Sequence, residues 1–285
     1  MTRRPPPRRE QGYAMLAVVA GIGVMAALAA GAAAATSARL DTLEAETTSA
    51  RLTAAADAGI AIALANLTRP GIGARWAIDG RTYTETWGDV PIAIRIEDEA
   101  GKIMINRIDG ENVGWLATAL GLPQRQVDEM RDSFDDWIDQ DDEPRRDGAE
   151  TRDYRRRGYA ARNGPPLSVE ELGDIRGFTP ALVERIGRIA TVEVNGAAFD
   201  KRYADPLAIQ VMNDGDGNAV DVIERQREIA GQRPALSIKD PADWAGRVVT
   251  VIAVARGPGG AQAQRRVVVQ ITGRARQPYV LRWGA

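Results

Sequence analysis

The chain has no cysteine and no histidine. Without cysteine there are no disulfides, no thiolate zinc sites and no thiol nucleophile. Without histidine the commonest general base and metal ligand is missing. Neither a G-x-S-x-G elbow nor a P-loop occurs. Paired carboxylates remain as a route to glycoside or phosphodiester hydrolysis, but one contiguous acidic loop is not a cleft with two opposed acids. Lysine is confined to Lys102, Lys201 and Lys239, a bias we read as genome composition. The net charge of -2 implies no general attraction to nucleic acid. Two further absences are positional. No proline lies between Pro7 and Pro70, and no charge lies between Glu10 and Arg39.

The charge-free stretch is built almost wholly of Ala, Gly, Val, Ile, Leu and Met. Its core, residues 13–35, exceeds the roughly 20 apolar residues that cross a bilayer. A cleaved signal peptide has a shorter apolar run, of about 7–15 residues. A buried soluble helix would rarely go so far without a polar contact. Arg3, Arg4, Arg8 and Arg9 precede the stretch against the single acid Glu10, which fixes that flank in the cytoplasm. All that follows Arg39 is then expected on the far side, in the periplasm. The remaining length, about 250 residues, is enough for one or two domains with a real core.

Residues 1–12 read as a Pro/Arg leader with no expected structure. A helix over residues 13–67 would form one rod of roughly 80 Å. Leu40, Leu43, Thr47, Ala50, Ala54, Ala58 and Ala61 recur at three- and four-residue steps and are the expected packing seam. Thr68-Arg69-Pro70-Gly71 ends the run. Alternation marks strands at 82–87 and 92–97, with a hairpin turn over 98–101 into 102–106. Helices are expected at 113–120, 123–138, 168–176, 180–189, 205–212 and 220–230. Short strand signals follow at 192–194, then at 248–255, 267–271 and 279–283. The fold class is therefore α+β: a long N-terminal transmembrane helix packed on an antiparallel sheet, with an inserted all-helical subdomain. The expected divisions are 1–12, 13–68, 69–108, 109–190 for the insert, and 191–285.

The chemistry-bearing stretch runs from Asp135 to Pro144, with Asp147-Gly148-Ala149-Glu150 and Tyr154 after it. Five Asp and one Glu within nine residues repel one another unless they are solvated, countered by Arg145 and Arg146, or bound to a cation. Calcium takes six to eight oxygens in flexible geometry. Asp136 and Asp139 share a helix face, Asp141 and Asp142 follow past the helix end, and Glu150 returns across a glycine turn.

Two groups of residues carry a family resemblance. Arg8-Arg9-Glu10-Gln11-Gly12-Tyr13 resembles a type IV prepilin leader. The string Asp136-Trp137-Ile138-Asp139, Asp141, Gly148-Ala149-Glu150, Tyr154, Pro165-Pro166-Leu167 and Glu170-Glu171-Leu172 closely resembles type II secretion system protein K. The resemblance is good over the leader, the span and residues 102–191, and weaker over 193–244. It implies a minor pseudopilin with a helical (SAM-like, helix-hairpin-helix) domain inserted in a pilin fold. By resemblance a prepilin peptidase cuts between Gly12 and Tyr13, and the new amino terminus is methylated. The same resemblance implies that the chain binds calcium, on the ligand set Asp136, Asp139, Asp141, Asp142 and Glu150. It further implies that the inner membrane holds the span and that two other minor pseudopilins, I and J, pack on the N-terminal helix. Most pilins and pseudopilins carry Glu at the fifth mature position, here Ala17; protein K typically lacks it.

Two rival motifs are weaker. Residues 167–186 resemble a helix-hairpin-helix, whose DNA-binding forms offer backbone N–H groups to phosphate. Thr179 stands where the second glycine would be and is an N-cap ahead of Pro180, and acids surround the hairpin. Nucleic acid is therefore not the expected partner; a membrane-anchored DNA-uptake protein is the alternative. Residues 213–218 alternate oxygens like a calcium loop but lack the EF-hand Gly and Glu, so a polar turn is expected. N-terminal sequencing of the membrane-extracted mature protein is expected to start at Tyr13. A start at Met1, or one inside residues 33–38, would rule out prepilin processing.

Overall fold

The structure, a computed structural model, describes residues 10–71, 74–194, 198–229 and 244–284. Most of the expected leader, residues 1–9, lies outside the described residues. Residues 10–12, expected to have no structure, are helical. After Pro7 nothing in the sequence interrupts a helix, so the rod simply extends toward the amino terminus.

Helix α1 (Glu10–Leu67) is unbroken over 58 residues, about 87 Å at 1.5 Å per residue. Its two apolar stretches differ in kind. Met15–Thr36, with a mean hydropathy of 2.2, is wholly uncovered, whereas Thr42–Leu67 is 44% buried against the rest of the protein. Only the first is left uncovered by the rest of the protein; it is long and apolar enough to cross a bilayer and fits a membrane anchor.

The second stretch packs on a face opposite to the one the sequence marks. Leu52, Ala55, Ala56, Gly59, Ala63 and Leu67 are buried on the sheet. Leu40, Leu43, Thr47, Ala50, Ala54 and Ala61 are exposed, and Ala58 is half-buried. Alanine stands on both sides of this helix, so the small-residue pattern has no phase of its own. The sheet selects the side holding Gly59, where a Cβ would sit 2.8 Å from Ile92 Cγ2 and 2.9 Å from Ala253 Cβ.

Strands β1 (Asp79–Trp87) and β2 (Val90–Asp98) form a hairpin through Gly88, whose φ of 62° suits the turn. A single 3-10 turn, Glu99–Gly101, leads to the two-residue β3 (Ile103–Met104). The helical insert follows with α2 (Gly110–Ala119), α3 (Gln124–Ile138), α4 (Thr151–Tyr154) and α5 (Pro180–Ile186). It closes on β4 (Ala190–Thr191). Next come α6 (Pro206–Val211) and α7 (Gly217–Ile229), then β5 (Val248–Arg256), β6 (Gln262–Arg274) and β7 (Gln277–Gly284).

The five long strands form one antiparallel sheet in the order β1-β2-β5-β6-β7, with α1 on one face. The architecture is α+β, as expected. Three local expectations fail. The hairpin over 98–106 does not form, because β5 occupies the β2 edge from Ile92↔Ala255 to Asp98↔Val249. Instead β3 pairs in parallel with β4, which lies at 190–191 and not at 192–194. The helix expected at 168–176 is only the 3-10 turn Glu170–Asp174.

Two buried clusters result. One joins α1 to the sheet through residues such as Leu52, Leu67, Ile94, Ile96, Val251 and Val269. The other runs from Ile103 to Val211, past position 190, because α6 lays Ala208 and Val211 against the insert. The insert sits at the end of α1 away from the span. Arg51 of α1 pairs with Asp89 in the β1–β2 turn, and Gly257 of the β5–β6 turn abuts Leu52, so these turns point toward the span. At the other end the Trp76 N–H donates to the Asn66 carbonyl and the Asp98 N–H to the Ile78 carbonyl; the chain departs into the insert from there.

Replacing Gly59 by Leu should destabilise residues 39–285 by about 1–3 kcal/mol, through overpacking against Ile92 and Ala253. Thermal unfolding should show the loss, and Ala54→Leu on the exposed face should not. Equal effects would refute the observed helix phase.

A carboxylate cluster in the helical insert

Helix α3 presents Val127, Met130, Phe134 and Trp137 to the insert core, as its periodicity requires. Asp132 and Asp136 point the other way round the helix yet are also buried. They catch the returning loop. The Asp147 N–H donates to Asp132 Oδ2 at 3.1 Å, and the Arg145 N–H donates to both oxygens of Asp136 at 3.2 Å. The Arg145 guanidinium adds bonds to Asp136 Oδ1 at 2.9 Å and Asp139 Oδ2 at 2.6 Å. Gly148 is obligatory here: a Cβ would lie 1.9 Å from Asp136 Oδ2.

Beyond Asp139 the chain turns extended and the helix ends. Asp139, Asp141 and Glu150 then bring carboxylate oxygens within 4.8 Å of one another. Asp139 Oδ1 and Glu150 Oε1 are buried with no hydrogen-bond partner. Glu150 itself is 1% exposed. Burial pushes its carboxyl from 4.5 up to about 7; the Thr151 N–H opposes this, while Asp136, Asp139 and Asp142 reinforce it.

Of the five expected ligands, the structure brings three together, Asp139, Asp141 and Glu150. Asp136 lies behind them, bound to Arg145, and Asp142 is exposed outside the group. The two processing residues, Gly12 and Tyr13, lie in the first turns of α1, with Tyr13 exposed.

The remaining motif residues form the frame. Trp137 Nε1 donates to Glu171 Oε1 at 2.9 Å, and the Leu167 N–H to Glu171 Oε2 at 3.0 Å. Arg162 grips the same carboxylate, with Nη2 2.8 Å from Oε2. Burial raises the Glu171 carboxyl, but Arg162, Leu167 and Trp137 together hold it below the usual range. Tyr154 is buried between Trp137, edge-on at 5.2 Å, and Tyr159, stacked at 5.5 Å. Its hydroxyl accepts the Arg176 N–H, and the Arg176 guanidinium donates to the Asp147 and Gly148 carbonyls. Sequence reasoning missed Arg162 and Arg176. Only their charge hinted at a role, and arginine is everywhere in this chain.

Both rival motifs settle into local structure. Thr179 Oγ1 accepts the Leu182 N–H at 3.3 Å, so the cap closes the helix end on itself. Residues 213–216 form a turn between α6 and α7, with Gly215 packed on Trp115 and Asp216 accepting the Asn218 N–H.

Residues 106–194, the stretch that holds this cluster and its frame, match the family of type II secretion system (T2SS), protein K. These residues belong to the protein K family. The chain carrying them has the role of a minor pseudopilin in type II secretion. The fold is similar to a chain in the crystal structure of the GspK-GspI-GspJ complex from the enterotoxigenic Escherichia coli type 2 secretion system. The TM-score is 0.57 at 14% identity, covering 87% of this chain and 98% of that one. A comparison with curated proteins finds no match.

A buried acid whose pKa is raised holds its proton in the folded state and releases it when unfolded. Metal-free protein should therefore lose stability as pH rises from 4.5 toward 7. Thermal melts of residues 39–285 in chelator should show this fall, and Glu150→Gln should lessen it, most clearly above pH 6 where Asp98 contributes least. A melt that rises over that window in chelator would refute the assignment.

Proposed function

We propose that this protein is the tip subunit of a type II secretion pseudopilus, where it caps the assembly and helps to start it. The observation that carries the reading is the protein K match on an insert at the end of α1 distal to the span. A helical domain seated there obstructs a further subunit above and leaves the sides of α1 open below. The exposed stripe from Leu40 to Ala61 suits close approach of neighbouring helices, because small residues let backbones come together. On this reading the neighbours are minor pseudopilins I and J, by analogy with the complex named above. The chain is a single-pass inner-membrane protein with a cytoplasmic amino terminus and a periplasmic bulk. It is processed by a prepilin peptidase and acts without catalysis. Ala17 fits a first subunit: a carboxylate in hydrocarbon costs about 2.5–3.5 kcal/mol, and a tip has no need of it.

The carboxylate cluster fits calcium. Two buried oxygens without donors, on Asp139 and Glu150, and the exposed Asp141 form a hard oxygen set. A bound cation would supply the positive charge that Arg145 alone cannot, and would pin the 139–150 loop to the end of α3. Arg145 and Gly148 shape that loop, while Trp137 and Glu171 brace the helix behind it.

Co-expressed with its own I and J proteins, the chain should co-purify with both. Ala54→Arg together with Ala61→Arg should cut recovery at least about tenfold, with no change in the melting temperature of residues 39–285. Recovery indifferent to both substitutions would place the contact elsewhere. Ala17→Glu should bring no gain in secretion. Calcium should raise the melting temperature of residues 39–285, and Glu150→Gln should abolish the rise; a melt indifferent to calcium and chelator would remove calcium from the account. Salt-dependent binding of that fragment to duplex DNA would instead favour the DNA-uptake reading.

A further inference from the structure

The sheet has a second face that α1 does not cover. Strand register puts Thr82, Arg95, Ile252 and Arg266 in one row across it, and Thr84, Ala93, Val254 and Gln264 in the next. The end of α5 rises beside this face with Gly187 and Arg188, enclosing a cleft of about 390 Å³. Four arginines border it: Arg95, Arg188, Arg256 and Arg266. Ala93, Ile252 and Val254, all half-buried, form its apolar floor.

Charge in the cleft is one-sided. Its acid, Glu97, is shared by Arg95 at 2.8 Å and Lys102 at 3.1 Å. Lys102 is also held by the buried Glu99 at 2.6 Å. Arg188 meets Glu184 at 3.4 Å, where both side chains are largely exposed and the pair is weak. Arg256 has no acidic partner among the described residues.

We propose that this arginine-bordered cleft, between the open face of the sheet and the helical insert, is a docking site for an acidic segment of another protein. Guanidinium groups from two strands, a hairpin end and the insert converge on carboxylates, and the apolar floor takes the side chains between them. An occupant would touch the sheet and the insert at once. The site does not depend on the tip assignment.

The test uses the full chain in detergent, with fluorescein-labelled hexaglutamate followed by anisotropy. Saturable binding is expected, weakened at least about tenfold by Arg256→Glu and by Arg95→Gln, and weakened by salt. Arg155→Glu, on the exposed arginine turn of the insert, should leave it unchanged. Should Arg95→Gln fail to fold, Arg256→Glu on its exposed strand end decides alone. No saturable binding, indifference to Arg256→Glu, or an equal loss with Arg155→Glu would each overturn the proposal. So would capture of labelled hexathymidylate in place of the peptide, since the cleft would then be a phosphate site.

Discussion

The fold depends on β2 and β5 lying side by side although the whole insert separates them in sequence. Whatever leaves the sheet at Asp98 must return to Val249, its partner across the ladder. A buried polar junction holds that doorway. Arg247, just before β5, donates to Asp98 Oδ2 and to Asp200 Oδ2, each at 2.6 Å. Thr250 Oγ1 donates to Glu99 Oε1 at 2.5 Å, and Lys102 reaches the same oxygen at 2.6 Å. Burial pushes Asp98 from 3.8 up to about 6 against the pull of Arg247. Such pairs contribute little net stability, because desolvation offsets most of their attraction. Their geometric demand is strict, however, and here it fixes the exit, the re-entry and the 200–202 linker against one another.

The carboxylate cluster obeys the same logic one layer out. Asp136 gives its whole carboxylate to Arg145, and that commitment seats the loop which carries Gly148 and Glu150. With both oxygens of Asp136 satisfied, the buried acceptors left without a donor are Asp139 Oδ1 and Glu150 Oε1, beside the exposed Asp141. Residues that look like one acidic run in sequence thus divide into a structural acid and three available ones.

Much of this was legible in the sequence, and the losses have physical causes. The α1 rod, the strands at 248–255 and 279–283, and the amphipathic face of α3 followed from local pattern. The phase of α1 did not, because alanine on every side carries no direction and only the sheet, arriving from far away in sequence, picks Gly59. The false hairpin at 98–106 failed for a related reason. Its turn residues were right locally, but the pairing edge belonged to a strand about 150 residues further on. In the acidic loop, residue types identified the cluster but could not separate Asp136 from Asp139. Arg145 reaches both, but it holds both oxygens of Asp136 and only Oδ2 of Asp139, whose Oδ1 is left without a donor.

The two errors on α1 and β2 bear on function because both concern which surfaces remain open. With Gly59 turned to the sheet, the stripe from Leu40 to Ala61 is left on the outside, continuous in direction with the uncovered span below it. With β5 closing the β2 edge, the chain leaves for the insert at the end of the sheet away from the span, and the insert reaches over the face that α1 leaves open. One helix therefore offers a clear flank along its length and an obstructed end. On the reading proposed above, subunits would add beside or beneath such a molecule and not above it.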